Sequence, residues 1–352
     1  MVVLLLWKPE ERLESHLRDR IREISPRIRL RLPPNGESAR EALLRLAPGA
    51  QVMVGWRPDP ELLAAAVRLK LFINPGAGVQ HLLPMFDEPL RERGVVLVNG
   101  HGNAGFTAQH ALALLLSLTN RIPQHHGWMS EGRWRTGDAE AASIPLTGRR
   151  IGLLGYGRVN RRVHRLLTGF DLQVAALRTA WPDRAQDVAG GGLHDTEPHD
   201  AGFRRFTPDG LNSFLEWSDA VIVSVPLTSE TRGLIGAGEL RLLGEEGLLV
   251  NVSRGPVVDR GALYEALRIG AIAGAALDVW YDYDPAPDES GRRFPYAPDT
   301  PFHELSNVVL SPHRGASPFS DLGRWDDVIE NIRRAFDGRG NYLNVVDLDR
   351  GY

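Results

Sequence analysis

The chain has 352 residues, 43% of them hydrophobic and 24% charged, with a formal net charge of −3. That length exceeds what one hydrophobic core organises, so two domains are expected, and the near-neutral balance gives neither nucleic acid nor an anionic membrane a claim as partner. Cysteine is absent and, of 41 basic residues, only Lys8 and Lys70 are lysine, which removes disulfide, thiolate, Cys-ligated metal and P-loop chemistry and leaves no lysine placed for a Schiff base.

The opening "VVLLLW" (Val2–Trp7) is too short to span a membrane and runs into charged "KPEERLES", so it reads as a strand and not as a signal peptide. No apolar run reaches membrane length, and a cytoplasmic protein is expected. Helical "PEERLESHLRDRIREI", strand "IRLRL", helix "ESAREALLRLA", strand "QVMVG", helix "PELLAAAVRL" and strands "KLFINP" and "VVLVNG" follow in order. Alternating buried strands and helices mean an α/β domain with a parallel sheet. In "NAGFTAQHALALLLSLTNRIP", Asn103 is a suitable N-cap and Pro123 lies just past the end. The helix between is apolar on most faces, so burial between domains is expected. The pair His125–His126 has no spaced acidic partner, and no HExxH occurs, so no metal is expected.

A second α/β series contains six strand candidates: "IGLLG", "LQVAALR", "DAVIVSVP", "GLLVNVS", "IAGAALDV" and "NVVLSP". This is the content of a doubly wound nucleotide domain. Two stretches rich in Gly, Asp and Pro, "WPDRAQDVAGGGLHDTEPHDAGFRR" and "WYDYDPAPDESGRRFPYAPDTP", read as long loops. The late "DLGRWDDVIENIRRAFDGRG" reads as an amphipathic helix.

The first strand of this series opens the loop "GYGRVN". Gly155 suits a tight turn, and Gly157 lets the backbone approach a pyrophosphate at the helix start formed by Arg158 and Val159. Asn160 stands where the dinucleotide fingerprint has its third glycine, so a slightly displaced helix is expected. At the end of the second strand, where an acidic residue bonds the ribose 2′-OH of NAD, stands Arg178. A guanidinium pairs with a 2′-phosphate instead, which favours NADP while leaving NAD open.

Seven segments together resemble the D-isomer-specific 2-hydroxyacid dehydrogenase family: "NPGAGVQHL", "GNAGFTAQHALALLLSL", "LTGRRIGLLGYGRV", "VSVPLTSETRGLIG", "LLVNVSRGPVVDRGALYEAL", "GAIAGAALDVW" and "NVVLSPHRGA". The resemblance implies two Rossmann-like or flavodoxin-like α/β domains, doubly wound parallel sheets with a cleft between them. A discontinuous substrate-binding domain, 1–102 with 314–352, would carry the dinucleotide-binding domain, 103–313. It further implies that Arg254 grips a substrate carboxylate and polarises its carbonyl, and that His313 is the general acid/base. The loop Ala77, Gly78 and Val79 would hold the carboxylate from the other side. Asp278 would lie near the nicotinamide carboxamide, with Pro226, Thr231, Val252 and Ser253 along the cofactor. His101, Asn103 and Arg314 would border the substrate.

The family pairs its histidine with a glutamate five residues beyond the aspartate, where this chain has Tyr283. Asp284, which precedes Pro285, is the expected substitute, with Asp282 as the alternative; if neither acts, His313 titrates lower. The implied reaction is hydride transfer between NAD(P)H and a small anionic 2-oxo acid, giving a D-2-hydroxy acid. The alternative is a non-catalytic dinucleotide-sensing paralogue acting as a binding module. The region "HHGWMSEGRWR" resembles the family's dimerisation segment, which implies a homodimer with Trp128 and Trp134 as anchors.

Overall fold

The computed structural model describes residues 1–352 apart from 37, 87, 136–141, 182–202 and 317–320. The chain divides into two compact units, Met1–Asn103 with Pro318–Tyr352, and Ala104–Ser317.

The first unit holds five parallel strands, β1 (Val2–Leu5), β2 (Arg29–Arg31), β3 (Val52–Val54), β4 (Leu71–Asn74) and β5 (Val96–Asn99), in the order β2-β1-β3-β4-β5. This is the flavodoxin-like order. Strands β1, β3, β4 and β5 are apolar on both sides because both faces are covered. Leu4, Met53, Phe72 and Leu97 pack on one face. Their neighbours Val3, Leu5, Val52, Val54, Leu71 and Ile73 pack on the other, the period-2 split of a pleated strand. Helices α1 (Glu11–Ile24), α2 (Ala39–Leu46), α3 (Pro60–Ala65) and α4 (Glu88–Glu92) belong here, and so does the late helix α11 (Asp326–Phe336). The amphipathic α11 buries Val328, Ile329 and Ile332 beside Leu13, Leu17 and Ile21 of α1; each such side chain contributes about 2 kcal/mol on burial. The edge strand β2 keeps its arginines exposed, which blunts further pairing.

The second unit contains α5 (Ala104–Thr119), α6 (Ile122–Ser130), β6 (Arg150–Leu154), α7 (Arg158–Leu167), β7 (Gln173–Leu177), β8 (Arg204–Phe206), α8 (Leu211–Trp217), β9 (Ala220–Val223), α9 (Ala237–Leu243), β10 (Leu248–Asn251), α10 (Arg260–Arg268), β11 (Gly274–Leu277) and β12 (Val308–Leu310). Its seven strands are parallel, in the order β12-β11-β10-β9-β6-β7-β8. Six were expected. The seventh, β8, falls at the end of a stretch read as loop: it is three residues long, and its two arginines are exposed. Pro123 does lie past the end of α5, and it opens α6 from an early helical position, where a missing N–H costs nothing. Ala108, Ala111, Leu114, Leu115 and Leu118 of α5 join the core of this unit. The late loop is irregular but packed: Tyr296 and Phe302 bury against Trp280, and Phe294 stacks on His303. The chain winds outward from β6 to β8 and returns at β9 beside β6. That reversal leaves a crevice at the carboxyl ends of β6 and β9, where such sheets bind ligands. No helix among the described residues is long and apolar enough to cross a membrane.

Candidate active site

At the end of β6 the chain enters the glycine turn. Gly155 has φ +84°, and a Cβ there would meet the Ser224 carbonyl oxygen at 2.8 Å, so only glycine fits. Its N–H donates to Leu177 O at 2.9 Å, tying the turn to the end of β7. Gly157 faces open space, and α7 begins at once with Arg158 and Val159, whose first-turn amides have no helical acceptor.

The expected displacement of α7 is replaced by something more specific. Asn160 is fully buried, and its Nδ2 donates to Gly155 O at 2.7 Å, Ile222 O at 3.1 Å and Leu154 O at 3.3 Å. The side chain therefore locks the turn to β6 and β9, the task that close glycine packing performs elsewhere. Among the described residues, open space at Gly157 and first-turn amides at the start of α7 form a donor set that suits a dinucleotide pyrophosphate. At the end of β7, the Arg178 amide donates to Phe206 O at 3.2 Å, and its guanidinium lies 5.5 Å from the Trp181 ring centre. Arg205 of the unforeseen β8 lies over the same ring at 4.9 Å. The loop after β9 is closed from within: Thr231 Oγ1 donates to Pro226 O at 2.6 Å and accepts the Thr228 amide at 2.8 Å.

Arg254 follows β10 in a turn clamped by Asn251. Asn251 Oδ1 accepts from Ser253 N at 3.0 Å and Oγ at 2.9 Å, and its Nδ2 donates to Arg254 O at 3.1 Å. Val252 and Ser253 are buried within this turn. The guanidinium donates to Ser253 O at 2.6 Å. Burial lowers the Arg254 pKa below the ordinary arginine value. It forms no ion pair with a carboxylate among the described residues, so it is a desolvated cation suited to an anionic ligand.

His313 sits beyond β12 with φ +56°, a left-handed conformation that is rare for a residue carrying a Cβ. Asp278, just past β11, holds it there. Its Oδ1 accepts from Arg314 N at 2.7 Å and Ser311 Oγ at 2.6 Å, and its Oδ2 accepts from Gly315 N at 2.9 Å. His110 Nε2 stands 2.9 Å from Ser311 Oγ and 3.3 Å from Asp278 Oδ1. A Cβ at Gly315 would meet Asp278 Oδ2 at 2.9 Å, so the Gly of "HRG" serves this close approach. Burial pushes the Asp278 carboxyl up, but His110, Ser311 and the two amides bring it below its ordinary value. The aspartate expected near a nicotinamide carboxamide thus spends both oxygens on the histidine turn.

The expectation that Asp284, or Asp282, supplies a carboxylate beside His313 is not met. Both are exposed, and Asp282 Oδ1 accepts the Asp284 amide at 2.9 Å instead. Tyr283, although 56% exposed, lies against His313 instead, its ring 5.3 Å from the imidazole and at 62° to it. Burial lowers the His313 pKa. Asp278 opposes that shift, while Arg254 and the exposed Arg314 add to it.

In the first unit, the loop after β4 is built by two buried asparagines paired in register, Asn74 and Asn99. Asn74 Nδ2 donates to Gly76 O at 2.7 Å and Gly78 O at 3.0 Å, and Asn99 Nδ2 donates to Ala77 O at 2.7 Å. Three successive carbonyls are turned inward, and the amides of Ala77, Gly78 and Val79 donate to nothing among the described residues. His101 lies beside them, its Nε2 3.1 Å from Asn99 Oδ1 and its amide donating to Asp327 at 3.1 Å.

Sequence reasoning missed Asn74, Asn99, Asn251, His110, Ser311 and Tyr283. The three asparagines share a readable signal, a polar turn-former closing an apolar strand in "FINP", "LVNG" and "LVNV".

Residues 112–315 match the family described as D-isomer specific 2-hydroxyacid dehydrogenase, NAD binding domain. The chain is 33% identical over 283 residues to a D-3-phosphoglycerate dehydrogenase of Archaeoglobus fulgidus; the match covers 79% of this chain and 48% of that protein, so the chain spans about half of that relative's length. It is 32% identical over 299 residues to a glyoxylate reductase of Thermococcus gammatolerans, covering 82% of this chain and 80% of the relative. A solved structure of an NADPH-dependent glyoxylate/hydroxypyruvate reductase of Sinorhizobium meliloti superposes with a TM-score of 0.73 at 25% identity, over 99% of this chain and 98% of that one. With its parallel sheets, glycine turn and matched sequence, the chain belongs to the D-isomer specific 2-hydroxyacid dehydrogenase family.

Proposed function

We propose that the chain is an NAD(P)-dependent reductase of a small anionic 2-oxo acid, acting in reverse as a D-2-hydroxyacid dehydrogenase, and that it works as a homodimer. In this reading residues 103–313 bind the dinucleotide, and 1–102 with 314–352 bind substrate. One observation carries the reading: a desolvated guanidinium with no carboxylate partner among the described residues, Arg254, and a histidine held in a left-handed backbone conformation, His313, stand at the carboxyl ends of strands in the sheet that bears the glycine turn. A non-catalytic sensor has need of neither. The nicotinamide supplies the hydride when bound. Gly155, Gly157, Arg158 and Val159 hold the pyrophosphate, and the loops at Pro226, Thr231 and Val252–Ser253 flank the dinucleotide.

Arg178 takes the ribose end and favours a 2′-phosphate, hence NADP over NAD. Arg254 binds the substrate carboxylate and draws charge onto the carbonyl oxygen. His313 gives its proton to that oxygen in reduction and takes it back in oxidation. The amides of Ala77, Gly78 and Val79, with His101 beside them, are further donors for an anion. Relatives named for glyoxylate and hydroxypyruvate make those acids the first to test.

The test is NADPH and NADH consumption with glyoxylate, hydroxypyruvate, pyruvate and larger 2-oxo acids. Turnover, faster with NADPH, is expected. His313→Ala should abolish it while leaving NADPH affinity within about threefold. Tight NADPH binding without turnover on any acid would favour the sensor. Arg178→Asp should move preference towards NADH; a wild type that already prefers NADH strongly removes the ribose argument.

A further inference from the structure

Tyr283 stands where the family resemblance places a glutamate beside the histidine. Its ring meets the His313 imidazole edge to face, with centroids 5.3 Å apart. The phenol oxygen accepts the Trp280 amide at 3.3 Å, which fixes the oxygen and leaves its proton to be given elsewhere. Burial raises the Tyr283 pKa, so the phenol keeps that proton at neutral pH, although the Trp280 amide and the charge of Arg254 both act to lower it. The same interaction acts in return on Arg254. One side chain thus touches the acid/base residue with its ring and presents a hydroxyl within the field of the anion-binding guanidinium.

We propose that Tyr283 is a substrate-binding residue that replaces the carboxylate partner of His313: its ring buttresses the imidazole, and its hydroxyl donates to the oxyanion seated on Arg254. The proposal rests on the 2-oxo acid reading above. It has a consequence for the proton. Among the described residues, His313 is faced by Tyr283, Asp278, Arg254 and Arg314, and Asp278 is the one carboxylate that acts on it. That carboxylate already accepts from Ser311 and the amides of Arg314 and Gly315, with His110 beside it. Reduction needs the imidazolium, so activity should fade at a lower pH than in a variant with a carboxylate at position 283.

Two variants separate the roles. Tyr283→Phe keeps the ring and loses the hydroxyl. The KM for the 2-oxo acid should rise about tenfold, with kcat within about threefold and the melting temperature unchanged. Tyr283→Glu introduces the charge: the pH at which reduction falls off should rise by about one unit. If the wild type turns over and Tyr283→Phe keeps the wild-type KM, the substrate contact is wrong while the 2-oxo acid reading stands. If Tyr283→Glu leaves the pH profile in place, the residue does not occupy the position of the histidine's partner. If the wild type reduces no 2-oxo acid, the reading fails and the Tyr283 proposal falls with it.

Discussion

Asn160 and Gly157 are three residues apart and act in opposite ways. Asn160 is structural: its buried carboxamide satisfies carbonyls from two strands and the turn. Asn160→Leu keeps the bulk and strips the donor from Gly155 O and Ile222 O, while Leu154 O keeps the Ser224 amide, at a cost of about 1 kcal/mol. The expected result is a melting temperature lower by several degrees, and an unchanged melt would mean that another donor takes over. Gly157 is the converse. A methyl there meets no atom of the described residues, and φ of −88° suits alanine. Gly157→Ala should therefore melt like the wild type yet bind NADPH at least about tenfold more weakly, because the methyl would take space that the pyrophosphate needs. Undiminished affinity, by titration of nucleotide fluorescence, would mean that the turn does not carry the pyrophosphate.

Elements join at their ends, and one such joint has a pH signature. Arg150 at the start of β6 donates to Asp219, just before β9, at 2.6 Å, and its amide reaches the same carboxylate at 2.8 Å. Burial pushes the Asp219 carboxyl up, but the guanidinium and the amide outweigh it and the group ends below its ordinary value. A carboxyl depressed by folding adds stability that is complete above its unfolded pKa, about 3.9, and is lost as pH falls through its lower folded value. Asp219→Asn should cost about 1 kcal/mol at pH 7, and its deficit should shrink as the pH approaches 3. Parallel urea midpoints for variant and wild type across that range would show the pair to be idle.

The same elements show what a single sequence discloses. Ten of the strands were legible because buried parallel strands read as apolar runs bounded by turn formers, and β2 was legible by its alternation. Strand β8 was not: two exposed arginines on a three-residue edge carry no burial signal. Arg254, His313 and Asp278 could be picked out by their motifs, whereas the hydrogen bonds that support the first two could not. Asn251 and Asp278 act through hydrogen bonds to backbone that is distant or folded back, which no residue spacing encodes. Asp284 was favoured by charge, yet both aspartates are exposed, and it is the ring of Tyr283, itself 56% exposed, that lies against His313.

At the scale of the whole molecule, the surface of α6 is the unresolved demand. No residue of this nine-residue helix is buried, and a helix that short is not stable on its own propensity. Ile122, Met129 and the following Trp134 are 53%, 54% and 70% exposed, a concentration of large apolar side chains that a monomer has no reason to keep. Arg133 lies 4.9 Å over Trp128, which leaves Trp134 as the freer anchor of the two. A second copy of the chain is the partner proposed for this face, and an aromatic at its centre should carry much of the affinity. Light scattering behind a sizing column should give twice the chain mass at about micromolar concentration, and Met129→Glu with Trp134→Glu should give single chains there. The two changes touch no buried residue, so the double variant should keep its NADPH affinity. A wild type that runs as a single chain at tens of micromolar, about tenfold above that concentration, would leave α6 without its second copy and refute the dimer.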